Sequence, residues 1–316
     1  MKIAIIFPGY GSQYLGMGKN LYDDERLMQE YFEEASSCLN VNFVKLCFAS
    51  SEAELAKMNN AYLAIFVMGY SIYGLLKAEN IVPTWITGEN IGAFTALACA
   101  GAMSFPDALY VLNKYAHVYQ EFLDSGDFAM LSVIGADAKT LDQLCQRASN
   151  EEFQVQVAIY RSTQHMVVSG HSQAVDTLKK MLDEHDDISY QDEDNAHELH
   201  SPLMQPVLDT VKPSLAKVDI KDLNVPVMRT IDGKNIQKSD EVVETFFARM
   251  IKPIHPEYIF DAVANYDLII QVGPGDLLLQ KIQKRYPKKW VFAVNERSDI
   301  NEIKKCIQMQ ITSEKE

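Results

Sequence analysis

The sequence predicts an α/β protein in which buried strands run into glycine-rich turns and then into helices. Residues 2–7 and 268–272 are apolar runs that each end at such a turn. Residues 81–86 do the same and lead into the stretch 87–92. A strand, a sharp turn and a helix in that order are typical of parallel α/β folds. Further helices are predicted at 21–39, 51–57, 91–100, 107–122, 202–216 and 241–249, and one more runs from the turn at 273–275 to 286. Further strands are predicted at 225–230 and 291–294.

The stretch Thr87-Gly88-Glu89-Asn90-Ile91-Gly92 has the pattern of a nucleophile elbow. In an elbow, a strand ends in a tight turn, glycines flank one exposed side chain, and a helix follows. The N-terminus of that helix directs N–H groups at an anion formed there. Elbows that transfer acyl groups carry serine at the central position, and here that position is Asn90. The function therefore depends on what Asn90 can do.

Length and composition indicate a globular protein with one large domain or two smaller ones. The chain has 316 residues, 47% of them apolar and 23% charged, and its net charge is −14. Nucleic-acid binders need a basic face, so this charge argues against nucleic acid as a partner. The five cysteines are scattered without C-x-x-C spacing, which predicts free thiols in a reducing compartment. We expect a cytoplasmic protein that holds no metal and no cofactor.

The longest apolar segment, residues 60–77, is predicted to form a buried central helix. It contains no proline and no charge before Lys77, but it includes Tyr, Ser and Gly. That mixture is unlike a membrane span, which needs about 20 predominantly apolar residues. We therefore expect no membrane association.

Residues 128–190 have a different pattern of predicted strands and helices from the flanking chain, and this pattern predicts a smaller unit. Strands are predicted at 129–134, 154–159, 164–169 and 188–190, and helices at 138–148 and 171–185. This β-α-β-β-α-β order is the ferredoxin-like arrangement. We expect the small subdomain at residues 126–194, inserted into a large subdomain formed by residues 1–125 and 195–316.

Four motifs follow one another along the chain: Phe7-Pro8-Gly9-Tyr10-Gly11-Ser12-Gln13, Gly88-Glu89-Asn90-Ile91-Gly92, His200-Ser201-Pro202-Leu203-Met204 and Val272-Gly273-Pro274-Gly275. In this order they resemble the malonyl-CoA:acyl carrier protein transacylase family, the acyltransferases of fatty-acid and polyketide synthesis. The first is similar to the family opening FPGQGSQ, the second stands where the family has GHSLG, the third matches HSPLM and the fourth matches a late VGPG turn. The resemblance covers nearly the whole chain and implies an α/β-hydrolase-like large subdomain with an inserted ferredoxin-like small subdomain.

The resemblance also implies a reaction. In that family a serine attacks the thioester of malonyl-CoA, a histidine takes the serine proton, and an arginine holds the malonyl carboxylate. Backbone N–H groups after the opening glutamine and after the serine form the oxyanion hole, and a carrier-protein thiol then accepts the acyl group. The resemblance places the histidine at His200, the nucleophile at Asn90 and one oxyanion-hole donor at Ile91.

The chain departs from the family at most of these positions. Asn90 replaces the serine, and Glu89 replaces the histidine before it. His200 is retained. The substituted binding positions are Tyr10 for the oxyanion-hole glutamine, Tyr62 for a substrate-contacting glutamine, Tyr115 for the carboxylate-binding arginine and Arg161 for an asparagine of the small subdomain.

These substitutions predict a member without normal acyl transfer that serves as a binding or scaffolding component. An amide nitrogen has a delocalised lone pair and no ionisable proton near neutral pH, so His200 has nothing to activate at Asn90. Removing the nucleophile of a triad costs about 10⁶ in turnover. Two alternatives stay open. The first is an acyltransferase or acyl-thioester hydrolase that uses Glu89 and His200. The second is an accessory interaction protein that no longer binds carrier proteins.

Two charged segments bear on the partners. One is acidic, precedes His200 and would repel malonyl-CoA if it rims the cleft; its members are Asp183, Glu184, Asp186, Asp187, Asp192, Glu193, Asp194 and Glu198. The other is basic and suits an acidic acyl carrier protein or a synthase component; its members are Lys281, Lys284, Arg285, Lys288 and Lys289. The alternative for the acidic segment is a solvated loop and helix end, and the alternative for the basic segment is a solvated helix end. An acyl-CoA is the remaining partner that the resemblance implies.

Overall fold

The computed structural model describes residues 1–193 and 199–313, and its strands form two sheets. The strands are β1 Ile3–Phe7, β2 Trp85–Gly88, β3 Phe128–Ile134, β4 Val155–Ser162, β5 His165–His171, β6 Ser189–Asp192, β7 Val227–Met228, β8 Asn235–Ile236, β9 Leu268–Gln271 and β10 Trp290–Ala293. One sheet has the order β10-β9-β1-β2-β7-β8 and the other β4-β5-β3-β6. In the larger sheet all neighbours are parallel except the edge strand β8.

Helices cover both sheets. They are α1 Lys19–Asp24, α2 Arg26–Leu39, α3 Phe43–Phe48, α4 Glu52–Ala56, α5 Met58–Ala78, α6 Ile91–Cys99, α7 Phe105–Ser125, α8 Ala138–Ala148, α9 Ser172–Leu182, α10 Gln205–Leu215, α11 Ser239–Ile251, α12 Glu257–Ala262, α13 Leu277–Arg285 and α14 Arg297–Ser313. The prediction of one helix over 21–39 is wrong. The extended backbone of Glu25, with φ −116° and ψ 106°, separates α1 from α2.

The predicted buried central helix is confirmed as α5. By length and composition alone α5 could cross a membrane, but most of it is buried within the protein. It packs against α2, α6 and α7. Its apolar surface is therefore covered by other parts of the chain, as in the core helix of a globular domain.

The predicted β-α-β-β-α-β order of the small subdomain is confirmed by β3, α8, β4, β5, α9 and β6. Its antiparallel sheet and two helices enclose a separate apolar core that includes Leu131, Leu141 and Val168. Ile254, which lies between α11 and α12, forms a parallel bridge with β4, because its N–H donates to Ala158 and its carbonyl accepts from Tyr160. Boundaries at 126 and 194 stay a prediction, and residue 194 lies outside the described residues.

The large sheet brings three turns to one edge. In register, Phe7 of β1 pairs with Gly88 of β2, and Ile6 pairs with Gln271 of β9. The carboxyl ends of these neighbouring parallel strands therefore meet, which is where open α/β sheets place their ligands. At Gly273 an added Cβ would lie 2.8 Å from the ring of Pro8, so the turns after β1 and β9 are in close contact.

Candidate active site

The turn between β2 and α6 has the backbone of a nucleophile elbow. Asn90 has φ 47° and ψ −120°, a conformation that non-glycine residues rarely adopt. A Cβ on Gly88 would lie 2.1 Å from the carbonyl carbon of Gly92, and one on Gly92 would lie 2.2 Å from the carbonyl oxygen of Phe7. Only glycine allows these backbones to approach so closely.

The side chain of Asn90 is bound to its own helix. Asn90 is buried, and its Oδ1 accepts the N–H of Ile91 at the start of α6. This N–H is the donor that the resemblance assigns to the oxyanion hole. The N–H of Gly11, which follows Tyr10, likewise donates to Gln13 Oε1 at 2.8 Å. Side-chain amide oxygens of the chain therefore occupy both donors.

The backbone of Glu89 fixes the elbow to the first strand. Its N–H donates to Phe7 at 3.0 Å, and its carbonyl accepts from Gly92 at 2.8 Å. The residue is partly exposed. A carboxylate at this position precedes the apex of the turn, and the apex itself belongs to Asn90.

His200 is buried, and a backbone carbonyl of α11 orients its ring. Its Nδ1 lies 2.7 Å from the carbonyl oxygen of Arg249, and its backbone has φ 38°. That carbonyl is in the last turn of α11, and the residue four positions on, Pro253, has no N–H to bind it. Nδ1–H donates to this acceptor, so in the neutral ring Nε2 carries the lone pair that a base needs.

The residue before the histidine is held from both subdomains. The N–H of Leu199 donates to the hydroxyl of Tyr119 on α7 at 3.1 Å. The hydroxyl of Ser169 on β5 donates to the Leu199 carbonyl at 2.5 Å. Both Leu199 and Ser169 are fully buried. These bonds hold the backbone that carries His200.

The predicted pocket tyrosines form one aromatic cluster. The ring of Tyr62 lies 6.1 Å from that of Tyr10 and 5.9 Å from that of Tyr115, centroid to centroid. Tyr115 stacks on Tyr119 at 5.6 Å. Tyr62 and Tyr115 are only 1% and 6% exposed, so they fill space rather than line an open pocket. The structure thus brings three substituted positions together.

Arg161 does not join this cluster. It lies on β4 and forms a 2.8 Å ion pair with Glu193, in which both side chains are partly exposed. Its guanidinium also lies 3.5 Å from His165 Nε2. Desolvation first, and then the charge of Arg161, lowers the pKa of His165 below its usual range. The cation that the resemblance places at the cleft is therefore neutralised within the small subdomain.

The acidic segment is partly neutralised. Asp192 pairs with Lys179 at 2.7 Å, and Glu193 pairs with Arg161. Asp194 and Glu198 lie outside the described residues, so the predicted acidic rim is described only as far as Glu193.

The basic segment at α13 separates into two kinds of cation. Arg285 pairs with Glu257 at 2.9 Å and with Asp261. Lys289 donates to the carbonyls of Ala264 and Tyr266. Within residues 1–193 and 199–313, three exposed members of the segment form no ion pair, and these are Lys281, Lys284 and Lys288.

A family model for the acyl transferase domain matches residues 4–306. The chain belongs to this acyl transferase family. The malonyl CoA-acyl carrier protein transacylase of Bacillus subtilis (strain 168) is 29% identical over 304 residues, 95% of each protein. The solved structure of the malonyl CoA-acyl carrier protein transacylase from Coxiella burnetii has a TM-score of 0.86 and 25% identity, covering 96% of each chain.

A third comparison is with a malonyl-transacylase solved in complex with a type II polyketide acyl-carrier protein. It has a TM-score of 0.85 and 22% identity, and the match covers 95% of this chain and 98% of that one. At this identity the likeness shows the fold. Together the comparisons confirm the predicted family and the fold class, an α/β-hydrolase-like large subdomain with a ferredoxin-like small subdomain.

Sequence reasoning missed the residues that act through tertiary contacts. Tyr119 and Ser169 hold the histidine loop, and Arg249 supplies the carbonyl that orients the ring. Pro253 was the available signal, because a proline four residues after a helical residue leaves that residue's carbonyl unbonded. The partners of Leu199 have no such signal, since they lie 80 and 30 residues away in the sequence.

Proposed function

We propose that the protein is a malonyltransferase-like component of fatty-acid or polyketide synthesis that binds acyl thioesters or carrier proteins without normal acyl transfer. The observation that carries the proposal is the contact of Asn90 Oδ1 with the N–H of Ile91. The central residue of the elbow has no nucleophilic atom, and its amide oxygen occupies the donor that would stabilise a tetrahedral intermediate. The buried tyrosine cluster supports it, because Tyr115 also removes a carboxylate-binding cation.

The test is incubation with malonyl-CoA or acetyl-CoA followed by intact-protein mass spectrometry. We expect no mass increase in the unmodified sequence. Asn90→Ser provides the matched comparison, since it restores a hydroxyl at the centre of the same elbow, and the Arg249 carbonyl already orients the ring of His200. A stable adduct on the unmodified chain that maps to residues 89–90 would establish an acyltransferase with a non-standard site.

A second candidate is hydrolysis of acyl thioesters by His200 with Glu89. One observation favours it: the ring of His200 keeps the orientation of a general base, with Nδ1 on the Arg249 carbonyl. In this reaction Nε2 takes a proton from water as the water oxygen bonds to the thioester carbonyl carbon. The C–S bond of the tetrahedral intermediate then breaks, and the imidazolium returns the proton to the leaving thiolate. Turnover of acyl-CoA that disappears in both Glu89→Gln and His200→Ala would establish it, and turnover that persists in either variant would exclude this pair.

The carrier-protein partner is proposed to dock on Lys281, Lys284 and Lys288. These exposed cations form no ion pair with the residues that the structure describes, whereas Arg285 and Lys289 are engaged within the fold. Carrier proteins are acidic, and complementary charge raises the association rate and its salt dependence. Lys281→Glu with Lys284→Glu should weaken binding to an acyl carrier protein in surface plasmon resonance. The exposed pair Lys139→Glu with Lys180→Glu is the control, and equal losses in both pairs would exclude a local docking surface.

A cytoplasmic location is part of the same proposal. All five cysteines are free thiols, and four of them are buried. Burial raises the pKa of Cys47 to about 12, so its thiol is protected from oxidation. Free thiols of this kind suit a reducing compartment.

A further inference from the structure

Helix α11 has two apolar faces, and one of them borders a groove on the protein surface. On the first face Phe246 is buried, and its ring lies 6.1 Å from that of Tyr115, centroid to centroid. On the adjacent face Val243 and Phe247 are one turn apart and only partly buried. This second face is therefore separate from the one that packs on the tyrosine cluster.

The groove lies between α10, α11 and the segment that follows α10, and its volume is about 400 Å³. Its apolar side chains are Leu215, Val218, Ile220, Val243 and Phe247. Leu215 belongs to the main apolar core, and the other four pack against that core. The ring of Phe247 meets that of Phe246 edge-on, with centroids 5.5 Å apart. The apolar wall is therefore supported from within the fold.

Two charged side chains line the same groove, and only one of them is engaged. Asp240 Oδ1 accepts the N–H of Glu241 at 3.0 Å, at the start of α11. Lys212 is exposed on α10, and its ammonium group forms no ion pair or hydrogen bond with residues 1–193 and 199–313. The charge that the groove offers to a ligand is therefore positive.

The size of the groove favours a small molecule over a protein. Nine residues line it, whereas a stable protein interface takes about 20–30 residues on each side. Its volume falls within the range of small-molecule sites, about 300–1,000 Å³. Such sites combine a mainly apolar wall with a few polar groups that orient the ligand. Here the orienting group is the ammonium of Lys212.

We infer that this groove binds a free aliphatic carboxylate of medium chain length. Its chain lies on Val243 and Phe247, and its carboxylate lies at Lys212. The net charge of −14 opposes non-specific binding of anions, so binding depends on the local cation and the apolar wall together. The inference goes beyond the proposed function, because no residue of the elbow, the histidine loop or the tyrosine cluster lines the groove.

The first test varies the chain of the ligand. Isothermal titration calorimetry compares hexanoate, octanoate and decanoate with the full chain, each below its critical micelle concentration. Each added methylene should tighten binding by about two- to fourfold, because more apolar surface leaves water. Equal affinities across the series, or no binding of decanoate up to its solubility limit, would overturn the inference.

The second test varies the charge at the head of the ligand. Lys212→Glu should weaken decanoate binding by about fivefold or more and strengthen binding of decyltrimethylammonium. Lys217→Glu is the matched control, since this exposed lysine does not line the groove, and it should change neither affinity. Equal losses of decanoate binding in the two variants would reveal a general charge effect and contradict the site.

The third test locates the ligand. A decanoate that carries a diazirine should cross-link within residues 212–220 and 239–247. Ala216→Trp should abolish both cross-linking and binding, since Ala216 is exposed and lines the groove. Cross-links confined to the tyrosine cluster would overturn the inference. If Ala216→Trp does not fold, Lys212→Glu decides, because its side chain is exposed on a helix surface.

A lipid surface is the rival source of the same chemistry. Co-sedimentation with vesicles of phosphatidylcholine and phosphatidylglycerol distinguishes it from a free carboxylate. We expect the protein to stay in solution and to bind monomeric decanoate. Sedimentation with the vesicles without binding of monomeric decanoate would contradict the inference. Neither outcome depends on acyl thioesters or carrier proteins, so the proposed function is tested separately.

Discussion

The elbow at Asn90 and the loop at His200 each hold a buried polar residue with a positive φ, but the two side chains are bound differently. Both residues have positive φ, 47° and 38°, and both are less than a tenth exposed. Asn90 accepts from the next N–H of its own helix, whereas His200 donates to a carbonyl of another helix. The first contact engages the amide oxygen of Asn90, and the second engages Nδ1 of His200 rather than Nε2.

This difference shows that the architecture of the site and its chemistry are separable. The glycines around the elbow are fixed by backbone packing, so the turn persists whatever its central side chain. The histidine loop is fixed by hydrogen bonds from Tyr119 and Ser169 to Leu199. The fold therefore keeps the backbones of the elbow and of the histidine loop. Of the two central residues, His200 has a side chain that can move a proton and Asn90 does not.

The largest effect is expected from breaking the elbow backbone with Gly92→Ala. The added Cβ would lie 2.2 Å from Phe7 oxygen and 2.6 Å from Pro8 oxygen, and backbone cannot move aside easily. We expect the free energy of unfolding to fall by about 3 kcal/mol or more. Urea denaturation measures it. Gly69→Ala is the control, because its Cβ meets side-chain atoms at 3.2 Å and should change stability by about 1 kcal/mol at most.

His200→Ala tests the second backbone. It removes the donor for the buried Arg249 carbonyl, a loss of about 1–3 kcal/mol, and it leaves alanine at φ 38°. His200→Asn should be more stable than His200→Ala by about 1 kcal/mol, since asparagine tolerates positive φ. Equal thermal stability of the two variants would show that the loop backbone relaxes when the ring is removed.

Asn90→Ala tests whether the Asn90 side chain caps α6, which is the contact by which the elbow differs from the histidine loop. Loss of the bond to the Ile91 N–H should cost about 1 kcal/mol of unfolding free energy. Asn90→Gly should cost less, because glycine adopts φ 47° freely. Ser104→Ala at the start of α7 removes a cap in ordinary backbone and should cost a similar amount. A stabilised Asn90→Ala would show that the amide does not cap the helix.

The smallest effect is expected at Arg161. Its charge is paired with Glu193, much as the amide oxygen of Asn90 is bound by the Ile91 N–H. The lowered pKa of His165 arises first from desolvation and then from Arg161. A depressed histidine pKa contributes stability that is present above the unfolded value of about 6.5 and is lost as pH falls through the folded pKa. Arg161→Gln should raise the pKa of His165 in an NMR titration. Arg147→Gln should not, and no change in Arg161→Gln would contradict the contact.

Much of this fold follows from local pattern. The elbow follows from glycine placement at 88 and 92, and the small subdomain follows from alternating strands and two amphipathic helices. Helix α14 was not predicted, and neither was the two-residue strand β8. A two-residue strand carries no periodicity, so its pairing depends on the neighbouring sheet rather than on its own sequence.

The candidate site was predictable in part. Position by position, the resemblance located Asn90, His200, Tyr62 and Tyr115, and the structure brings the tyrosines into contact. The resemblance gave no role to Arg249, because an arginine in an amphipathic helix is expected at the protein surface until its neighbours are known. The buried stripe of α11 was the usable signal, since it places a charge where an apolar side chain is expected.

The central claim is that Asn90 leaves the elbow intact and without a nucleophile. Intact-protein mass after incubation with malonyl-CoA tests it most directly, with peptide mapping of any product. The account predicts that the unmodified chain keeps its original mass. A stable acyl adduct on the unmodified chain that maps to residues 89–90 would contradict it.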